Sequence, residues 1–286
     1  MPMKLRKNNL QIGKALSSVL KNSKGEIKSS LLSDLDLDKF AERVMNTDPL
    51  VHITPISIIP AENPHDVVVS QKELPLAGIY DGIIRYNKRG MFKQARTWQD
   101  FSNWFRNLNY QQHIKLIMLA PIMYKSLNNA IIFSVAGNND FELIDMSYKI
   151  DEDFIKSGST SIFWHIILRG QLYDLSRKNP IPEIHEWVEN GHPFIEKYYS
   201  KDVANFKTLF WDNCKFVKSH ESFEIRIADT VCTILSKYTN DKACEDAYLK
   251  LKPLFLLEDR MILYKLNRFD INNFGEEQFL NPWDKL

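Results

Sequence analysis

The sequence predicts an α/β fold, a single domain over 1–286 with strands interspersed among helices. Three observations predict it. Short runs such as VHITPISII (51–59), AIIFSVA (130–136) and CKFV (214–217) alternate or are continuously apolar, as strands are. Between them lie stretches with apolar residues at helical spacing, at 34–46, 98–108 and 161–177. No internal repeat, low-complexity segment or clean linker divides the chain, so one continuous domain with helical insertions is the economical reading. The insertions fall at about 80–125 and 155–200, and a helical extension covers 240–286.

Composition narrows the function classes. A hydrophobic fraction of 44% is ample for a core. The formal net charge of +1 gives no global attraction to nucleic acid or anionic lipid, so any basic surface must be local. Cys214, Cys232 and Cys244 lie far apart without a C-x-x-C pair, which argues against a structural zinc site and a disulfide framework. A reducing cytoplasm fits that usage best. The basic start lacks the apolar core of a secretory signal. The longest apolar run, 114–124, is broken by Lys115 and Pro121 and falls short of the roughly 20 residues that cross a bilayer. No membrane association is expected.

Taken in order, residues 4–28 carry seven cations against Glu26 and read as a short basic helix ended by Gly25, followed by a short strand at 26–30. A second helix covers 34–46. The strand at 51–59 is confined to an edge or bulge by Pro55. The three prolines of 60–75 predict an irregular connection, and 79–86 fits a strand or a buried helix. The most basic stretch follows: Arg85, Lys88, Arg89, Lys93 and Arg96, interleaved with Tyr86, Phe92 and Trp98. Cations among aromatics suit phosphate contact plus base stacking, and a helix with a solvated cationic side has the same composition. Phe101, Trp104, Phe105 and Leu108 then form one apolar helical face.

The stretch 114–123 reads as buried, and 130–136 as an interior strand. A hairpin turn at 137–140 and a return strand over 141–150 lead into Asp151-Glu152-Asp153. Acids there, with Asp145 inside the strand, serve either a metal or the start of a helix. A long helix over 161–177 stops at Asn179-Pro180, and His165 on it reads as a packed core or interface histidine rather than a ligand. A short helix at 184–188 and a loop at 191–194 follow. The strand 214–217 turns through Lys218-Ser219-His220 into an apolar helix reaching Tyr238, and helices at 243–252 and 258–266 complete the chain. Asp229 sits at the border of the apolar helix. A buried, unpaired carboxylate is expensive, so Asp229 must reach water or hold something.

The run Phe216-Val217-x-Ser219, followed by Ile225-Arg226-Ile227-Ala228-Asp229-Thr230-Val231, resembles the closing motif of the family known as domain of unknown function 3800. Glu26-x-Lys28 is similar to that family's E-x-K element, and Gly191-His192-Pro193-Phe194 to connecting segments of some members. The resemblance covers residues 25–240, with its specific part at the end. It implies an RNase H-like mixed sheet flanked by helices, with Asp229 on the last helix as one ligand of a divalent-metal site. Glu26 and Asp151 are then its catalytic and ligating partners, with Asp145 in reserve, and Lys28 and Ser219 position phosphate or ligand behind them. Carboxylates suit Mg²⁺ or Mn²⁺, and two such ions activate water and stabilise the leaving oxygen of a phosphodiester. The expected function is an RNase H-like nuclease, or a protein derived from one.

Two departures open an alternative. The family opens on a strand bearing D-E-S-G, which this chain lacks, and position 218 is Lys where the family has Asp. The alternative is a catalytically degenerate member that binds nucleic acid or protein in phage–host conflict, with Arg85, Lys88, Arg89, Lys93 and Arg96 as its nucleic-acid contacts.

Overall fold

The computed structural model describes residues 29–47, 53, 56–57, 65–135, 143, 145–152, 160–181, 183–200, 203–241, 243–255, 261–270 and 273–280. After a 3-10 turn at Ser29–Leu31 come α1 (Asp34–Thr47), β1 (Ile56–Ser57), α2 (His65–Lys88), α3 (Phe92–Arg106) and α4 (Tyr110–Val135). β2 (Tyr148–Asp151) precedes α5 (Thr160–Phe163), which runs through a π-helical turn, Trp164–Leu168, into α6 (Arg169–Lys178). Then follow α7 (Glu183–Glu189), α8 (Pro193–Tyr198), β3 (Tyr199–Ser200), β4 (Val203–Ala204), a second π turn at Lys207–Asp212 and β5 (Cys214–Val217). A 3-10 turn at Ser219–Glu221 leads to α9 (Phe223–Asp241), α10 (Glu245–Leu251), β6 (Met261–Asp270) and β7 (Asn273–Leu280).

The expected RNase H-like mixed sheet is not the architecture. Helices dominate the described residues, and their strands fall into three small separate sheets, ordered β1-β6-β7, β2-β5 and β3-β4. The physical reason lies in the apolar runs. A short continuous apolar run is consistent with a buried strand or a buried helix, and periodicity alone does not separate them. The run at 114–123 and the described part of the run at 130–136, up to Val135, fuse into α4, whose Leu116, Leu119, Ala120, Met123, Leu127 and Ile131 are buried at helical intervals. The predicted irregular connection at 60–75 is also corrected from His65 onward: α2 passes through Pro75, which is buried on one stripe with Val68, Gln71 and Ile79. The predicted helix at 258–266 gives way to β6, which pairs in parallel with β1 at Ile56↔Ile262 and Ser57↔Leu263. Non-local pairing overrides local helix propensity there. The strand at 214–217 and the helices at 34–46 and through Tyr238 stand where the sequence put them.

The chain divides into two compact units. One comprises Met1–Ser57, Val217–Leu263 and Glu277–Leu286, the other Ile58–Phe216 and Tyr264–Glu276. In the first, α1, α9 and α10 enclose a core that includes Leu37, Phe40, Ile234, Tyr248 and Leu251. Polar seams hold these helices together: Lys237 bonds Asp34 at 3.0 Å, and Lys250 bonds Asp38 at 2.6 Å. The Cys244 thiol also donates to Asp34, and that bond, with Lys237 second, holds the Asp34 carboxyl below its usual range. In the second unit, α2 to α8 surround a larger aromatic core with Phe101, Phe105, Phe163, Trp164, Tyr198 and Phe210.

Candidate functional site

The basic stretch folds into the tip of a helical hairpin. α2 and α3 run antiparallel. Near one end the Trp98 ring lies on Gly82, where an added Cβ would meet it at 2.2 Å. At the other end the Lys72 ammonium donates to the carbonyl oxygens of Leu108 and Arg106, satisfying acceptors that the end of α3 leaves free. Burial holds the Lys72 amine below its ordinary pKa.

The sequence dictates the turn itself. Gly90 adopts φ +67°, the left-handed region where a Cβ is penalised. The Gly90 N–H donates to Asn87 at 3.0 Å and the Met91 N–H to Tyr86 at 2.9 Å, the paired bonds of a Schellman helix end. α3 begins at Phe92, so the reversal is tight and its flanking cations crowd together. Residues 85–96, RYNKRGMFKQAR, hold Arg85, Lys88, Arg89, Lys93 and Arg96 and no acid. All five are exposed, and their side chains make no hydrogen bond or ion pair among the described residues.

The three aromatics of this stretch have different roles. Tyr86 and Trp98 are half-buried and meet edge to face at 5.5 Å, which fixes α2 against α3. Phe92 is 69% exposed, beside Met91 at 37%. Sequence reasoning named Phe92 but could not tell it from the packed pair. Gly90 was missed, although Gly followed by a new amphipathic run is a helix-end signal.

The acids predicted to share a metal do not form such a site among the described residues, where no group of three or more His, Cys, Asp or Glu side chains is arranged to hold an ion. Asp229 lies on α9 in the first unit, exposed, and accepts a 2.6 Å hydrogen bond from Ser29 Oγ, which also bonds Thr233 Oγ1 at 2.7 Å. It thus pins the Ser29–Leu31 turn to α9. Asp145 and Asp151 belong to the second unit. Asp145 pairs with Lys197 at 2.7 Å, accepts from Met146 N–H at 2.8 Å and accepts from the buried Tyr198 hydroxyl. Burial works against its charge, but the bonds from Lys197 and Tyr198 outweigh it and hold the carboxyl below its ordinary value. Asp151 ends β2, half-buried. Ser219 opens the 3-10 turn before α9. Glu26 and Lys28 lie outside the described residues. The described donor set does not fit Mg²⁺ or Mn²⁺.

Two histidines can also be placed. His165, expected in the core or at an interface, is exposed and so does not belong to the core. His192, expected in a loop, caps α8, its Nδ1 accepting from Phe194 N–H at 3.2 Å.

Among the described residues no helix is long and apolar enough to cross a membrane. No protein-family model matches the chain, and no solved structure matches it. The chain is 30% identical over 110 residues to a Legionella pneumophila (strain Corby) protein called "Putative glutamate--cysteine ligase 2-1". That similarity covers 37% of this chain and 28% of the Legionella protein.

Proposed function

We propose that the chain is a nucleic-acid-binding module that engages phosphates through the α2–α3 tip. One observation carries the reading: five exposed cations without an intervening acid, and without partners among the described residues, at a helical-hairpin tip whose turn is made by Gly90 and whose helices meet at the Trp98–Gly82 contact. Unpaired surface cations cost nothing in lost ion pairs when a polyanion arrives, and each phosphate neutralised releases condensed counterions. The near-neutral whole chain leaves such attraction to local basic stretches, of which 85–96 is the one among the described residues that carries five cations and no acid. A cytoplasmic setting belongs to the same proposal and is supported by the three free thiols of Cys214, Cys232 and Cys244.

The test is fluorescence anisotropy of labelled oligonucleotides across a salt series. Wild type binds with affinity falling steeply as salt rises, and Arg89→Ala with Lys93→Ala weakens binding to every sequence. Binding that ignores salt would remove the proposal.

The Legionella likeness favours a second reading, a fragmentary relation to a glutamate–cysteine ligase. Formation of a glutamate–cysteine product by the chain supports a catalytic version of it, and absence of that product removes that version.

A further inference from the structure

We infer that the tip selects single-stranded nucleic acid by stacking one base on Phe92; this rests on the phosphate-binding reading above. Of the three aromatics in the stretch, Tyr86 and Trp98 are half-buried, packed edge to face on each other, with Trp98 also against Gly82. Phe92 alone stands out, 69% exposed at the first residue of α3, flanked in sequence by Arg89 and Lys93. An exposed ring among cations matches the chemistry of an unpaired strand, whose phosphates alternate with accessible base faces. A duplex offers denser charge, but its base faces are already stacked on one another, so Phe92 gains nothing there.

An anionic lipid surface is the competing occupant, since Ile84 and Met91 are also exposed. Lipid-seated helices present a continuous apolar face. The exposed residues of α3 after Phe92, from Lys93 to Arg106, are instead all polar or charged. The apolar exposure is thus confined to the turn, at Ile84, Met91 and Phe92, and does not run on as a stripe along α3; of the three only Phe92 has a ring on which a base can stack.

The test uses the full chain and four probes: labelled oligothymidylate, an abasic strand of equal length, a duplex of equal length, and phosphatidylserine vesicles. The abasic strand keeps the phosphates and removes the stacking partner. The base-bearing strand binds about tenfold tighter than the abasic strand, and Phe92→Ala removes that advantage, the loss of one base–aromatic stack. Phe92→Trp keeps it, and the salt slope is unchanged in both variants. Phe92 is exposed, so its loss leaves the fold intact, which an unchanged melting temperature verifies. If abasic and base-bearing strands bind alike, or Phe92→Ala binds as wild type does, stacking is overturned while phosphate binding stands. If no nucleic acid binds in a salt-sensitive way, or only vesicles bind, both readings fall.

Discussion

Gly82 leaves no room for a side chain, because the Trp98 ring occupies the position its Cβ would take, at 2.2 Å. Gly82→Ala gains about 1 kcal/mol of helix propensity. Displacing the ring costs about 1–3 kcal/mol, and so severe an approach belongs at the upper end. We expect a net lower thermal midpoint, and an equal or higher one would show that the ring moves freely. Asp229 is a second residue with a structural task. Ser29→Ala, Asp229→Ala and the double variant should give a coupling of about 1 kcal/mol, as one partly exposed hydrogen bond does. A Mn²⁺-dependent rise in melting temperature that Asp229→Asn abolishes would return Asp229 to a metal. His113 on α4 is fully buried against Phe105, and neither ring nitrogen has a hydrogen-bond partner among the described residues. Burial, then the nearby Lys72 charge, pushes its pKa down to about 3. The folded state therefore binds the proton less readily than the unfolded chain, whose histidine titrates near 6.5. Stability is intact above about 6.5 and falls by up to about 1.4 kcal/mol per pH unit below it, until the folded form protonates near 3. Denaturant titrations at pH 7.5 and pH 5 measure this, and His113→Leu should flatten the difference.

At the scale of elements, α2 and α3 are joined by a turn whose geometry depends on Gly90. Gly90→Val places a branched side chain at φ +67° and should destabilise the hairpin by about 1–2 kcal/mol. Nucleic-acid affinity should fall with it, because the cations lose their common base. Retained stability would mean the turn tolerates another conformation. The same hairpin shows what was legible beforehand. The basic stretch and the apolar face of Phe101 and Phe105 were readable, since charge and periodicity are local. The course of α2 was not: three prolines in 60–75 suggested a break, yet Pro75 lies on a buried stripe whose packing outweighs one lost backbone bond. α4 was unreadable for a different reason, as its apolar surface is too broad to show a helical period. The candidate metal ligands were gathered from positions far apart in the chain, where no local pattern fixes a side chain's partner. Asp229 found Ser29, and Asp145 found Lys197 and Tyr198, partnerships that no local pattern announces.

For the whole molecule, a formal charge of +1 means that long-range electrostatics contribute little, so salt-sensitive binding reports local basic stretches, and variants of the tip separate its share from that of residues 4–28. With five cations engaged on a single strand, the slope of log K against log salt approaches about −3.5. Removing two of them should reduce its magnitude by about 1.4. The most direct measurement of the central claim is this slope for wild type and for the Arg89→Ala, Lys93→Ala double variant. A steep wild-type slope that shallows in the variant is the predicted result. A slope near zero, or one identical in both proteins, would contradict the assignment of nucleic-acid binding to the α2–α3 tip.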